Sequence, residues 1–210
     1  MNLIVWLALC NAAIIVSVFV HEVIHGFTAK LDGVPVSTGF NRVGNAYKFP
    51  SDADFRTDFY SGGGKGVPDF APQFNLTLAI IFTILFSLMP YSGSVLNHII
   101  LAFALGNSVI RLIPSALALI TRRNEDETGQ GECLVEKYNR RFLKYLPLFF
   151  SIVVSILCLY FIHMRIESLR LQGEVIPGIR WIWLTFVSSF VICNILDKFL
   201  RINWVPKKTT

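Results

Sequence analysis

The chain has 210 residues, of which 53% are hydrophobic and only 16% charged, with a mean hydropathy of +0.55. A soluble domain of this size is about a quarter charged, so the composition excludes an ordinary soluble enzyme and leaves an integral membrane protein, one membrane domain over residues 1–210. The net charge of +5 does not point to nucleic acid, because the basic residues are scattered between apolar runs, where they set orientation.

The first predicted element is a span over residues 3–29, with no charged residue from Met1 to Val20. Roughly 18 consecutive apolar residues suffice to cross a bilayer. A cleavable signal peptide would open on a basic region, which this run lacks. The run ends in Val-Phe-Val-His-Glu-Val-Ile-His-Gly, residues 18–26. On a helix His21 and His25, four apart, share a face and can hold one zinc ion. Zinc takes imidazole nitrogen, needs about four ligands, and at catalytic sites keeps one position for water. It brings the pKa of that water from near 16 towards ~7, and Glu22, one residue along, is the candidate base for the proton.

A single histidine in an apolar helix is usually a hydrogen-bonded structural residue. Two histidines and a carboxylate on one turn are different, since the most strongly charged groups cost roughly 2.5–3.5 kcal/mol to insert. Proton relay, ion path and metal site all meet that test, and the spacing favours metal. The motif lies ~7–14 Å inside the end of the span at Lys30, so water has to reach it through a cavity. The secreted zincins take a third ligand six residues after the second histidine, with a glycine between. Here those positions are Leu31 and Thr28, and Asp32 stands one residue out of register as a weak candidate.

In the 30–71 connection, residues 36–49 carry β-type residues around a Val-Gly-Asn turn signal, which predicts a small hairpin. Ser61 to Gly66, SGGGKG, lacks the spacing of a phosphate loop and reads as a linker, with Gly62 to Gly64 able to let the loop open and close. Further spans are predicted at 72–89, 98–120, 145–164 and 181–200. The fold class is therefore an all-α integral membrane protein of about five transmembrane helices, with the hairpin between the first and second. Asn75 reads as a residue that caps or packs the second span. Asn107 in the third could hydrogen-bond a substrate carbonyl or developing oxyanion, or simply link helices. Arg111 is expected to snorkel to the surface or meet an acidic residue. His98 and His163 fall at the opposite ends of their spans from the motif and are excluded as ligands, and Asp197 reads as interfacial. The four cysteines are far apart and form no disulfide framework.

The connections before the first span, at 90–97 and at 165–180 hold three Lys and Arg, against fifteen in the 30–71 and 121–144 connections and the tail from Lys198. That asymmetry puts the N-terminus outside and the C-terminus in the cytoplasm. The terminal Pro-Lys-Lys-Thr-Thr reads as a basic cap on the last helix, as in the cytoplasmic membrane of a prokaryote, in preference to a dilysine retrieval signal.

Over residues 1–130 the chain resembles the site-2 protease family of intramembrane zinc metalloproteases. HEVIHG fits that family's first-span motif. Ala71-Pro72-Gln73-Phe74-Asn75 is similar to its Gly-Pro-x-x-Asn motif, with Ala for Gly. Gly106 to Pro114, GNSVIRLIP, resembles its Asn-rich stretch and Asn-Leu-Leu-Pro, with Arg111 where the family has Asn. Asn124 to Gly129, NEDETG, stands where the family's Asp-Gly supplies the third ligand. The resemblance implies a Zn2+ held by His21, His25 and Asp126, with Glu125 and Glu127 as the neighbouring alternatives. It also implies Glu22 as catalytic base, hydrolysis of peptide bonds in or next to transmembrane segments of membrane proteins, and a hairpin edge that holds the substrate extended. Residues 131–210 then form a cytoplasmic loop and two additional spans outside the resemblance. Two other readings stay open: a non-catalytic membrane scaffold with a degenerate metal site, and an ion or proton carrier built round His21 and Glu22. The clustering of ionisable groups at one end of one span argues against the carrier.

Overall fold

The structure, a computed structural model, describes residues 2–40, 43–45, 70–121, 126–176 and 181–204, and of residues 43–45, 126–128, 133 and 182 the backbone alone. The glycine stretch 61–66 and Glu125 lie outside the described residues, as do the side chains of Asp126 and Glu127.

Helix α1 spans Leu3–Asp32. Its 30 residues reach about 45 Å, well beyond the ~30 Å of a bilayer's hydrocarbon core. Asn2 starts it, its Oδ1 accepting from the Ile4 N–H at 2.9 Å and so satisfying one of the unpaired amides of the first turn. Gly33 stops it with φ 89°, its N–H returning to the Ala29 and Lys30 carbonyls, a left-handed position that favours glycine. The buried residues Trp6, Cys10, Ala13, Ser17, His21, His25, Thr28 and Asp32 follow one stripe at steps of three or four. Leu3, Ile4, Val5, Val16, Phe27 and Leu31 are exposed, so this helix is apolar on its open side as well, which suits lipid rather than water.

Strands β1 (Val36–Thr38) and β2 (Val43–Asn45) follow and pair antiparallel, Thr38 opposite Val43. The predicted hairpin is there, with a correction: Val43-Gly44-Asn45 is strand, and the reversal falls before it. Helices α2 (Ala71–Leu88) and α3 (Val95–Thr121) come next. The 121–144 connection, expected as loop, contains helix α4 (Asp126–Tyr138) and a 3-10 turn, Arg141–Tyr145. It leads into α5 (Leu146–Leu171), and α6 (Ile182–Leu196) and strand β3 (Ile202–Trp204) close the chain.

Among the described residues four helices are long and apolar enough to cross a membrane: α1, α2, α3 and the continuous stretch Arg141–Leu171 that contains α5. They coincide with the first four expected spans. The element at the fifth is shorter than expected, since α6 has 15 residues and reaches only about 22 Å. Beyond it the chain turns at residues 197–199, where buried Asp197 accepts a hydrogen bond from the Phe40 N–H in the hairpin. The last strand then joins the sheet, whose order is β2-β1-β3.

Helix α3 lies at the centre, packed on α1, α2 and α5. Gly106 permits its approach to α1, since a Cβ there would stand 3.2 Å from Ile14 Cγ1. Trp6, Cys10 and Ala13 join Phe86, Leu101, Leu105, Ile162 and Ile166 in one apolar cluster at the N-terminal half of α1. His98 belongs to that end: its ring meets Trp6 at 6.2 Å and its Nδ1 donates to the Ser94 carbonyl at 2.7 Å. It is remote from the motif, as the spacing predicts. Cys10, Cys158 and Cys193 are buried free thiols.

Candidate metal centre

The second half of α1 turns the same stripe polar. His21, Glu22 and His25 are all buried. The Nε2 atoms of His21 and His25 stand 3.0 Å apart, with their rings nearly perpendicular at 86°. Four residues of helix bring the side chains to one face, and both rings turn the same nitrogen to a common point.

The orientation of His21 is fixed from outside α1. Its Nδ1 lies 2.6 Å from Asn75 Oδ1, contributed by the second turn of α2. A carbonyl oxygen only accepts, so Nδ1 carries the proton and Nε2 presents a lone pair. The Asn75 amide is held in turn, its Nδ2 donating to Asn107 Oδ1 on α3 at 2.9 Å and to the Ser17 carbonyl at 3.4 Å. Asn107 Nδ2 donates to Ser17 Oγ at 3.0 Å and to the Phe103 carbonyl at 2.9 Å. The network closes on α1 one turn before His21, and each amide is oriented by its neighbours.

With Nδ1–H anchored, His21 Nε2 accepts from His25 Nε2 and from Arg111 Nη1, the latter at 3.4 Å. For Arg111 the snorkelling alternative is corrected. The side chain is buried at the motif, 3% exposed, and does not snorkel to a surface.

The zinc implied by the motif can be tested against this geometry. Two nitrogens 3.0 Å apart subtend about 94° at an ion ~2.05 Å from each, so a few tenths of an ångström of separation would bring them to the tetrahedral angle, and an imidazole whose far N–H is hydrogen-bonded to a carbonyl is the usual arrangement of a metal-bound histidine. His21 fits as it stands, and His25 fits once the Nε2 proton it donates to His21 is given up or moved to Nδ1. Among the described residues no third His, Cys, Asp or Glu completes a metal-binding group.

Asp32 is excluded as the third ligand by the course of the backbone. Thr28, which stands where the zincins carry glycine, donates its hydroxyl to the Ile24 and His25 carbonyls at 2.9 and 3.0 Å. Helix α1 continues unbroken to Asp32, seven residues and about 10 Å beyond His25 along the axis. The first turn of α4 lies at the motif's end of the bundle. Asp126 opens α4, and one turn later Gln130 exchanges amide hydrogen bonds with Gln73, at 2.6 and 3.0 Å. Gln73 is two residues from Asn75. The carboxylate of Asp126 lies outside the described side chains.

Asn107 is placed against an oxyanion role, because both its amide hydrogens are engaged, by Ser17 and by Phe103. It links helices, the other reading of that residue. Asn75 has a role at the motif that the sequence does not disclose. Read as a cap or packing residue, it orients His21. Its signal was position, in the Ala-Pro-Gln-Phe-Asn segment, and the second signal was Ser17, one turn before His21 on the same stripe.

Among known proteins nothing matches this chain: no family model, no curated protein and no solved structure.

Proposed function

We propose that the protein is an intramembrane zinc metalloprotease, hydrolysing peptide bonds in or next to transmembrane segments of membrane proteins. The observation that carries this reading is the pair of Nε2 atoms 3.0 Å apart inside an apolar helix bundle, with Glu22 beside them and Asn75 locking the tautomer of His21. His21 and His25 would hold the ion together with a carboxylate of the acidic run, Asp126 first among its members. Zinc, when bound, supplies a Lewis acid that makes water acidic enough to attack at neutral pH.

The chain's own residues do the rest. Asn75 keeps the proton of His21 on Nδ1, so that Nε2 remains a lone-pair donor. The carboxylate of Glu22 takes a proton from the attacking water and passes it to the departing amine nitrogen. Burial in the bundle excludes bulk water and strengthens each of these interactions. The distribution of Lys and Arg supports an outside N-terminus and a cytoplasmic C-terminus, with α1 to α3, α5 and the short α6 as the membrane elements.

Glu22→Gln tests the reading. Cleavage of membrane-protein substrates by purified protein falls about 10²–10⁴-fold, while zinc content and thermal midpoint stay within error. Undiminished cleavage in that variant would remove the proposed base.

One observation favours the non-catalytic scaffold: the Arg111 guanidinium lies 3.4 Å from His21 Nε2, where its charge opposes a cation. On that reading the wild-type protein purifies without stoichiometric zinc, and Arg111→Gln is needed before zinc binds.

A further inference from the structure

Strand β3 returns from the far end of the chain to take an edge of β1, with Val36 opposite Trp204, Ser37 opposite Asn203 and Thr38 opposite Ile202. Two side-chain bonds fasten it: Ser37 Oγ donates to Asn203 Oδ1 and Trp204 Nε1 to Thr38 Oγ1, both at 2.8 Å. The indole of Trp204 lies directly on Gly26, where an added Cβ would stand 2.1 Å from Nε1. Gly26 follows His25 in the chain and is four residues from Glu22, on the same face one turn along. A notch is thus cut into α1 beside the motif, and an aromatic ring fills it.

A helical substrate buries its carbonyls in its own hydrogen bonds and has to be extended before it can be cut. An edge strand supplies the main-chain bonds that hold a peptide extended. The other edge of β1 is already paired with β2, so β1 has one edge left to offer, and β3 occupies it. That occupant is three residues long, and its Asn203 is exposed, with Ile202 and Trp204 half-buried. Segments with so little burial open at low free energy compared with packed helices.

We propose that the β1 edge and the Gly26 notch form a binding site for an extended peptide carrying an aromatic side chain, and that Ile202–Trp204 occupies this site in the resting chain. The inference rests on the peptidase reading and supplies its substrate class. The side chain selected is tryptophan above phenylalanine, because Thr38 Oγ1 accepts the indole N–H. Substrate and β3 compete for one site, so anything that pins β3 weakens binding and anything that loosens it strengthens binding.

The test uses the full chain in bilayers and an apolar membrane-spanning peptide bearing a photoreactive group. A single Trp is moved along the peptide, with Ala at the same positions as control. Binding is read by crosslinking to Glu22→Gln protein, and cleavage separately in protein with Glu22 intact. The pair Ser37→Cys and Asn203→Cys, placed opposite each other, staples β3 to β1 on oxidation. Binding of the Trp peptide is expected to fall about tenfold in the stapled form and to return with reductant, and Trp204→Ala to raise it about threefold. Equal binding by stapled and reduced protein, or equal binding of Trp and Ala peptides, overturns the proposal. Should the staple not form, unchanged or weaker binding by Trp204→Ala overturns it alone. Peptide binding that follows the staple, with no cleavage when Glu22 is intact, would sink the peptidase reading and leave the strand site standing.

Discussion

From Trp6 to Ala13, α1 lies in an apolar cluster with Leu101, Leu105 and Ile162; from Ser17 to His25 the same stripe meets Asn75, Asn107 and Arg111. The stripe of the first half is held by close fit, with Asn11 beside it accepting from Ser188 and Ser189 on α6. Between helices in lipid there is little hydrophobic driving force, so dispersion and shape do the work, and Gly106 brings α3 onto Ile14 for that purpose. The second half contains groups that are costly to bury, and each has to find a partner. The contrast teaches where specificity comes from. An apolar half tolerates many shapes, whereas the amide network admits one orientation for each member, and that orientation aims His21 Nε2 at His25.

Substitutions can break this contrast from either side. Asn75→Ala removes the acceptor for His21 Nδ1–H. Zinc affinity of the purified protein is expected to fall about 10–100-fold, as when the hydrogen-bond partner of a metal-bound histidine is lost, with the thermal midpoint lowered much less than the affinity. An unchanged affinity would mean that the network serves packing and not the site. Ile162→Ala acts in the other half. Its cavity is expected to cost about 2 kcal/mol of stability, measured by unfolding in detergent, while the zinc dissociation constant stays as it was. A shift in both quantities would show that the two halves are coupled. The smallest effect belongs to Asn107→Ala, which acts on His21 through Asn75. A loss of zinc affinity of about tenfold or less, without change in the pH profile of cleavage, keeps it a positioning residue; a large fall in kcat at constant zinc affinity would return it to the oxyanion.

Much of the apolar half was legible in the sequence, because hydrophobic length alone marks a span, and the first four fall where the runs predict them. The motif was legible too, since a four-residue step on a helix fixes which side chains meet. Partners across helices were not. Nothing local distinguishes an Asn75 that caps a helix from one that grips His21, and nothing in Arg111 says whether it leaves the bundle or enters it. Strand β3 was hidden for a related reason: residues 181–200 read as one apolar run, and the stop at Leu196, the bond from Phe40 N–H to Asp197 and the pairing of β3 with β1 are long-range features that no local pattern announces. Asp32 is carried away from the pair because α1 runs on as helix through Thr28 to its cap at Gly33, where the zincin chain would already have turned.

The central claim is that one buried turn of α1 grips a zinc ion through two imidazoles. Zinc K-edge X-ray absorption on the purified full chain, beside His21→Ala, His25→Ala and Asp126→Ala, tests it most directly. The account predicts a shell with two imidazole nitrogens and a carboxylate oxygen at about 2.0–2.2 Å, losing one imidazole in each histidine variant and the oxygen in the third. A protein that binds no zinc, or a shell that keeps both imidazoles in either histidine variant, would contradict it.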